Sequence, residues 1–211
     1  MKRGYFITFE GIEGCGKSTQ INLTEKYLIN RNHEVIRVRE PGGTYAGEKI
    51  RYLLKHDEEA QLNPKSELLL FMASRVELVE KVIRPAVAKG SIVLADRFLD
   101  SSEAYQGIAR NLGSENVNWL NKYAITGMIP DLTILLDLAP EVGFARINLN
   151  GRLKDKIERE AISFHRAVRE GYLIIAKREK DRFEVIEDDR GLGEEYIQNR
   201  IQQALKKRLG L

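Results

Sequence analysis

A glycine-rich motif typical of phosphate binding lies near the start of the chain, between a strand-like run and a helical run. Residues 11–18 read Gly-Ile-Glu-Gly-Cys-Gly-Lys-Ser and follow the apolar run Tyr5–Glu10. In such a motif the backbone N–H groups point at an anion, beside the positive end of the following helix. Lys17 then reaches the β- and γ-phosphates of a nucleoside triphosphate, and the Ser18 hydroxyl binds Mg²⁺. The predicted triphosphate-binding loop comprises Gly11, Ile12, Glu13, Gly14, Cys15, Gly16, Lys17, Ser18 and Thr19.

A second candidate site follows the apolar run 91–95. Asp96 comes directly after this run, and Arg97 follows it. In phosphate-loop enzymes an acid at this place orients Mg²⁺ or its water, opposite the loop serine. An aspartate here could also cap a helix or lie on the surface, but an apolar run leading straight into Asp-Arg favours the metal role. Arg97 supplies a forked guanidinium that suits a phosphate group.

Further polar and aromatic residues are spaced so that they share helix faces. Phe71 and Arg75 are four positions apart, as are Ser101 and Tyr105, and residues at this spacing lie together on an α-helix. Each alone has an ordinary explanation as a core or surface residue. As a set they describe a pocket with a stacking ring, amide and guanidinium donors, and cations for a second, phosphate-bearing substrate. The set comprises Arg51, Phe71, Arg75, Arg97, Ser101, Tyr105 and Gln106.

The elements that must position these residues alternate between short apolar runs and longer amphipathic stretches. We predict strands at 5–10, 34–39, 91–95, 132–138 and 182–187. We predict helices at about 17–30, 44–55, 65–88, 101–110, 115–126, 140–148, 156–179 and 193–209. This alternation predicts an α/β fold, a parallel five-stranded sheet with helices on both faces and ligands at the carboxyl ends of the strands.

Composition narrows the possible classes of protein. The 211 residues predict a single domain, 1–211, and a net charge of +3 gives no footprint for nucleic acid. One cysteine excludes an internal disulfide, and no Cys/His cluster indicates a structural metal. No apolar run is long enough to span a membrane and no signal peptide is recognisable, so we expect a cytoplasmic protein.

A polar segment at about 148–160 interrupts the regular alternation. It opens with turn residues and is mostly charged. Such a run is often the solvated start of a helix. Behind a phosphate loop, and directly after Arg146, it is also typical of a mobile lid that carries cations to a transferring phosphate and excludes water. We favour the lid interpretation.

Five segments together resemble the bacterial thymidylate kinases, a family of P-loop nucleoside monophosphate kinases. They are 9–20 (Phe-Glu-Gly-Ile-Glu-Gly-Cys-Gly-Lys-Ser-Thr-Gln), 39–44 (Arg-Glu-Pro-Gly-Gly-Thr), 70–75 (Leu-Phe-Met-Ala-Ser-Arg), 96–98 (Asp-Arg-Phe) and 101–107 (Ser-Ser-Glu-Ala-Tyr-Gln-Gly). The match covers essentially the whole chain, in order. The phosphate loop alone indicates only the superfamily, whereas the Arg-Glu-Pro-Gly-Gly-Thr and Ala-Tyr-Gln-Gly segments are far more specific.

The resemblance implies transfer of the γ-phosphoryl group of ATP to dTMP, giving dTDP for dTTP biosynthesis. It also implies Mg²⁺ as the cofactor and a homodimer as the usual assembly. In the base pocket it implies that Phe71 stacks on thymine and that Arg75 hydrogen-bonds the base edge. Ser101 and Gln106 would line the same pocket.

The resemblance further assigns the groups around the sugar and the phosphates. Arg51 and Arg97 would hold the acceptor phosphate, and Glu13 would reach the 3′-hydroxyl of the acceptor sugar. Tyr105 would pack under the deoxyribose, where a 2′-hydroxyl would collide with it. Arg146 would cover the adenine of ATP.

The family places the cation that meets the transferring phosphate either in the phosphate loop or in the lid. Loop positions 12–15 hold no basic residue, so the chain resembles the lid type. The lid there often reads Asp-Arg-Ile-Glu, whereas residues 155–158 read Asp-Lys-Ile-Glu. A lysine supplies a point charge and not a fork. Either Lys156 or Arg152 therefore meets the phosphate, and we slightly favour Arg152.

Positioning and charge neutralisation would then carry the catalysis. The acceptor oxygen belongs to a phosphate group whose second pKa is about 6, so no general base is needed at neutral pH. We expect Lys17, Arg97 and one of the two lid cations to be catalytic.

Other functions remain open from the sequence alone. A GTPase switch is disfavoured, because Asn121-Lys-Tyr-Ala124 lacks the final aspartate of the guanine signature, and the Asp-x-x-Gly match at 188–191 comes after it. A kinase for another small acceptor would need a different second pocket. A non-catalytic module gated by ATP would show no turnover stimulated by a small acceptor.

Overall fold

Five short runs rich in β-branched residues form one parallel sheet in the computed structural model, which describes residues 3–149, 155–188 and 193–211. Within these ranges the strands follow the spatial order β2-β3-β1-β4-β5, and every neighbouring pair is parallel. Arg152, much of the predicted lid and most of the 188–191 match lie outside the described residues. The strands are β1 (Phe6–Glu10), β2 (Val35–Arg39), β3 (Ile92–Asp96), β4 (Leu132–Asp137) and β5 (Phe183–Glu187).

Nine α-helices lie within the described ranges. The N-termini of two helices show how the local sequence begins a helix. At the first, the Thr44 hydroxyl accepts a 3.0 Å hydrogen bond from the Gly47 N–H. At the second, the Asn63 side chain caps the helix that begins at Pro64. The helices are α1 (Lys17–Ile29), α2 (Tyr45–Lys55), α3 (Pro64–Leu78), α4 (Arg84–Lys89), α5 (Leu99–Ser102), α6 (Ser114–Ile125), α7 (Pro140–Leu149), α8 (Ile162–Arg178) and α9 (Gly193–Leu209).

The helices cover both faces of the sheet. Alternate residues of a strand point to opposite faces, and β1 accordingly contributes to two separate cores. Ile7 and Phe9 pack in a cluster with residues of α1, α8 and α9. Phe6 packs in a second cluster with residues that include Val87 of α4 and Ile125 of α6. The five-stranded parallel sheet flanked by helices confirms the predicted fold class.

Three helix predictions differ from the structure in detail. The predicted helix 65–88 contains a π-helical turn, Val79–Ile83, and the predicted helix 101–110 is largely a π-helix, Glu103–Ala109. There the Arg110 N–H bonds the carbonyl five residues earlier, at Tyr105, at 2.8 Å. The helix predicted to begin at 156 begins at Ile162, because the residues before it form turns. π-Helical segments are frequent at functional sites, and the segment Glu103–Ala109 carries two predicted site residues, Tyr105 and Gln106.

Candidate active site

A cleft opens where the phosphate loop faces the end of β3 and helix α2. We call it the central cleft. Its volume of about 480 Å³ falls within the range of roughly 300–1,000 Å³ that ligand sites occupy. The lining of the cleft brings together the predicted loop lysine, both predicted metal ligands and both arginines predicted to hold the acceptor phosphate. These residues are Lys17, Ser18, Arg51, Asp96 and Arg97.

A second cleft, of about 550 Å³, lies along the other side of the phosphate loop. We call it the outer cleft. Loop residues 14–19 line one side of it, and Arg146, Asp188 and Ile197 line the other. The Arg146 guanidinium donates a 2.8 Å hydrogen bond to the Asp188 carboxylate. The arginine predicted to cover adenine thus stands beside the loop predicted to hold the phosphates.

A third cavity joins the central cleft on the acceptor side, and Glu13, Lys55 and Arg97 line both. We call it the inner pocket. Every residue of the predicted acceptor set lines it except Arg51, which lines the central cleft. Ile157, in the turn before α8, also lines the inner pocket. The predicted residues that line it are Glu13, Phe71, Arg75, Arg97, Ser101, Tyr105 and Gln106.

The phosphate loop is held in shape by close backbone contacts. Gly14 has φ +74°, and a Cβ atom there would lie 2.2 Å from the carbonyl oxygen of Gly143 in α7. Only glycine fits both the left-handed conformation and the contact. The Lys17 ammonium donates to the carbonyls of Gly11 (3.0 Å) and Ile12 (2.7 Å), so it lies over the mouth of the loop.

Glu13 stands between the loop and the inner pocket. Its carboxylate accepts hydrogen bonds from the Tyr105 hydroxyl at 2.7 and 2.8 Å and from the Arg97 guanidinium at 2.9 Å. Burial by itself would raise the pKa of Glu13, but the charges of Arg97 and Lys17 hold it well below its usual range. The group is therefore ionised at neutral pH and can accept a hydrogen bond from a substrate hydroxyl.

Glu10, the last residue of β1, organises the neighbouring turn. One carboxylate oxygen accepts the Phe98 N–H at 2.8 Å, and the other accepts the hydroxyls of Ser101 (2.7 Å) and Tyr172 (2.8 Å). Burial raises the pKa of Glu10 to about 7. The carboxyl group thus fixes the backbone just after Arg97, and it also fixes the side chain of Ser101, a predicted site residue.

Arg97 adopts a conformation that is uncommon for a residue with a side chain, with φ +70°. Its guanidinium donates to the hydroxyl of Tyr172 at 3.0 Å and to that of Ser101 at 3.3 Å, and it lies 5.1 Å from the centre of the Tyr105 ring. The left-handed backbone turns the side chain towards the phosphate loop, where it bridges the central cleft and the inner pocket.

Arg75 is only 1% exposed, and its donors are used within the protein. The guanidinium bonds the Glu40 carboxylate at 2.5–3.1 Å, the Asn121 amide oxygen at 2.5 Å, and the Phe98 carbonyl and Ser102 hydroxyl at 3.1 and 3.0 Å. A contact with a bound base would have to share one of these donors. Asn121, which the GTPase alternative assigned to guanine, instead braces this arginine.

Two other acceptor residues also have protein partners. The Arg51 guanidinium donates to the Pro41 carbonyl at 2.8 Å. Burial is the main cause that lowers the pKa of Arg51, and repulsion from Arg39 lowers it further. The Gln106 amide donates to Glu67 at 2.9 Å. Both side chains are therefore held in place at the cavities that they line.

The metal prediction rests on Ser18 and Asp96, which line the central cleft from the loop and from β3. Hydroxyl and carboxylate oxygens suit Mg²⁺, which usually keeps waters and substrate phosphates among its ligands. Within residues 3–149, 155–188 and 193–211, no group of three or more His, Cys, Asp or Glu side chains could hold a metal. The donor set fits an ion that a bound phosphate shares.

The structure places one of the two predicted lid cations. The Lys156 ammonium donates to the carbonyls of Asp57 (2.6 Å) and Ala60 (2.7 Å), in the loop that follows α2. Its role at the transferring phosphate stays a prediction.

Sequence reasoning missed several residues that build the site, among them Glu10, Glu40, His165 and Tyr172. Glu10 could have been found as the polar end of β1, immediately before the phosphate loop. His165 and Tyr172 are seven positions apart on α8, which places them on one helix face. His165 is fully buried, and its Nδ1 lies 3.6 Å from the Glu13 carboxylate.

Comparisons with known proteins identify the family. The family model described as "Thymidylate kinase" matches residues 9–201. The chain belongs to the thymidylate kinase family. It is 54% identical to the thymidylate kinase of Thermosipho melanesiensis over 178 residues, covering 84% of this chain and 87% of that protein. It is 50% identical to that of Kosmotoga olearia over 182 residues, covering 86% of each.

A solved structure of the same family shares the fold. The crystal structure of thymidylate kinase from Ehrlichia chaffeensis aligns with a TM-score of 0.77 at 33% sequence identity, covering 96% of this chain and 99% of that chain. Family membership agrees with the resemblance that the phosphate loop and the Arg-Glu-Pro-Gly-Gly-Thr turn indicated. Among the described residues, no helix has the length and hydropathy to cross a membrane.

Proposed function

We propose that the protein transfers the γ-phosphoryl group of ATP to dTMP, giving ADP and dTDP for dTTP biosynthesis. The observation that carries this proposal is the junction of two cavities. The central cleft contains the phosphate loop, the inner pocket contains the acceptor residues, and Glu13, Lys55 and Arg97 line both. A donor phosphate over Lys17 and an acceptor phosphate beside Arg97 would therefore meet in one cleft.

Neutralising two polyanions is the main physical demand of this reaction. Lys17 would stabilise the donor phosphates, and Arg51 and Arg97 would hold the acceptor phosphate. Ser18 and Asp96 would hold Mg²⁺, which supplies charge neutralisation for the donor phosphates. Since the acceptor phosphate is largely ionised at neutral pH, we assign no general base.

The remaining site residues would recognise the two nucleosides. Phe71 would stack on thymine, with Arg75, Ser101 and Gln106 around the base. Glu13 would accept a hydrogen bond from the 3′-hydroxyl, which the low pKa of its carboxyl supports. Tyr105 would exclude a 2′-hydroxyl. In the outer cleft, Arg146 would cover the adenine of ATP.

We further propose that the chain is one cytoplasmic kinase domain that acts as a homodimer. The family match over residues 9–201 supports a single domain. Trp119 and Tyr123 on α6 support association, because they are 67% and 77% exposed and stack on each other with ring centres 6.5 Å apart. Light scattering should give the mass of a dimer for the wild type and a lower mass for Trp119→Lys. If the variant kept the mass of a dimer, the interface would lie elsewhere.

The test of the reaction is ADP release from Mg-ATP with dTMP, dUMP, UMP, CMP, AMP and thymidine offered separately. Strong stimulation by dTMP, with weaker stimulation by dUMP, is expected. Stimulation by a different acceptor would keep the phosphate loop and overturn the assignment of the inner pocket. If no acceptor stimulated ADP release, a module gated by nucleotide would become the better description.

A further inference from the structure

The residues just before α8 form a compact turn that is braced from within. We call residues 155–160 the anchor turn. The Asp155 carboxylate accepts the backbone N–H groups of Ile157 and Glu158, both at 3.0 Å. In return, the Asp155 N–H donates to the Glu158 carboxylate at 2.9 Å. These reciprocal hydrogen bonds resemble a capping box and make the turn one rigid unit.

The anchor turn walls both cavities on the acceptor side. Ile157 lines the inner pocket, and Asp155 and Glu158 line the central cleft. A displacement of the turn would therefore change the shape of the acceptor site.

The turn is fastened to the end of α2, the helix that carries Arg51. The Lys55 ammonium donates to the Asp155 carboxylate at 2.8 Å, with both side chains largely buried. A second ion pair, between Arg159 and Glu58 at 2.6 Å, is exposed on both sides. Exposed pairs of this kind contribute little to stability, so the buried contacts do most of the fastening.

The ammonium group of Lys156 sits in a socket formed by the loop after α2. The carbonyls of Asp57 and Ala60 converge on it at 2.6 and 2.7 Å. The loop is curled into this shape by its own hydrogen bonds, since the Asp57 carboxylate accepts the N–H groups of Glu59 (3.1 Å) and Ala60 (3.2 Å). Hydrogen bonds from a charged donor are among the stronger ones in proteins.

We propose that Lys156 is a positioning residue, which fastens the anchor turn to the loop after α2 and so holds the wall of the acceptor pocket. The proposal rests on the proposed function for the identity of the acceptor. It reassigns Lys156 from the transferring phosphate to the binding of dTMP. The two roles differ in an observable way, because a cation that meets only the γ-phosphate has no effect on dTMP in the absence of ATP.

The decisive experiment compares Lys156→Met with the wild type by calorimetric titration of dTMP without ATP, together with steady-state kinetics. Loss of two charge-assisted hydrogen bonds should weaken dTMP binding about 10-fold, while kcat stays within about 3-fold. Lys156→Gln keeps a donor without the charge, so it should recover part of the dTMP affinity. Arg159→Ala, which removes only the exposed ion pair, is the matched control and should leave both quantities unchanged.

Two results would overturn the proposal. One is wild-type affinity of Lys156→Met for dTMP without ATP, whatever its kcat; a kcat lowered about 100-fold in that case is what a cation at the transition state would give. The other is a loss of dTMP affinity in Arg159→Ala as large as that in the Lys156 variants, which would show that the two carbonyl contacts of Lys156 are not what holds the turn. If Lys156→Met does not fold, the Gln variant carries the test. Failure of the proposed function would look different, because the wild type itself would then not phosphorylate dTMP.

Discussion

The hydroxyl of Tyr172 donates a 2.8 Å hydrogen bond to the carboxylate of Glu10, although the two residues are 162 positions apart. This bond ties the middle of α8 to the end of the central strand, directly before the phosphate loop. The same carboxylate accepts the Phe98 N–H and fixes the turn that presents Arg97. The acceptor side of the site is thus built on a buried acid that has no contact with bulk water.

Glu10→Gln should remove a pH-dependent part of the stability. The fold raises the pKa of Glu10 from 4.5 to about 7, so the folded state binds this proton more tightly than the unfolded state. The resulting stabilisation is fully present below pH 4.5 and is lost as the pH rises through 7. The shift corresponds to about 3 kcal/mol. Urea unfolding of both proteins at about pH 5 and about pH 8 measures it.

In that comparison the wild type should lose stability relative to Glu10→Gln as the pH rises. Buried acids that do not interact with Glu10, such as Glu40, contribute equally to both proteins, so their contributions cancel in the difference. A difference that does not change with pH would mean that Glu10 stays ionised throughout.

Glu40→Ala should destabilise the protein by about 3–5 kcal/mol, because it leaves the buried charge of Arg75 without its partner. Glu80→Ala is the matched control, since Glu80 pairs with Arg84 on an exposed helix surface, where the loss is expected to stay below about 1 kcal/mol. Chemical denaturation measures both. Equal effects would mean that the buried Glu40–Arg75 pair contributes no more to stability than the exposed Glu80–Arg84 pair.

Gly143→Ala should weaken ATP binding more than dTMP binding. A Cβ atom at this position would lie 2.3 Å from the Glu13 carbonyl oxygen, so the phosphate loop and α7 would have to move apart. Overpacking of this kind costs about 1–3 kcal/mol, which predicts a loss of roughly 10-fold or more in ATP affinity. Calorimetry can measure it, with Val142→Ala on the exposed side of α7 as the control. Unchanged ATP affinity would show that the contact does not shape the loop.

Much of the fold could be predicted, because β-branched runs and amphipathic stretches directly encode a parallel sheet covered on both faces. The strand predictions agree with the structure to within about one residue at each end. Asp96, predicted just after a strand, is the last residue of β3, which still puts it at the carboxyl edge. The π-helix Glu103–Ala109 was not predictable, because over seven residues a hydrophobic pattern does not distinguish a π-helix from an α-helix.

The positions of the candidate site residues were predictable where the motif is local in sequence, and unpredictable where they depend on packing between distant elements. Lys17 and Ser18 follow from one motif. In contrast, the partners of Arg75 come from three separate segments of the chain, which contribute Glu40, Asn121, and Phe98 with Ser102. The sequence also could not show that Lys156 finds two carbonyls about 100 positions earlier.

Arg97→Ala should lower kcat/KM for dTMP by about 100-fold or more while the fold survives, because it removes the guanidinium that lines both cavities and faces the acceptor phosphate in the proposed site. Arg97→Lys retains the charge but cannot reach Glu13, Ser101 and Tyr172 together, as the guanidinium does. We expect an intermediate loss of about 10-fold for this variant. ADP release measures the activity, and circular dichroism checks the fold. Near wild-type turnover in the alanine variant would refute the assigned role.

Tyr105 offers a way to separate the work of a ring from that of a hydroxyl. The hydroxyl donates to Glu13, whereas the ring packs edge-on against Phe164 and Tyr172, with ring centres 6.1 and 6.2 Å away. Tyr105→Phe removes only the first contact, and Tyr105→Ala removes both. If the ring excludes a 2′-hydroxyl, the preference for dTMP over its ribonucleotide analogue should fall about 10-fold in the alanine variant only.

The ratio of the two kcat/KM values is the right quantity, because any general loss of stability or turnover cancels from it. The phenylalanine variant should keep the wild-type ratio while losing overall activity, since Glu13 then lacks one of its donors. If the ratio fell equally in both variants, the hydroxyl would be the selective group. If neither variant changed the ratio, the ring would not be what excludes the 2′-hydroxyl, and the selection against ribonucleotides would have to come from another wall of the inner pocket.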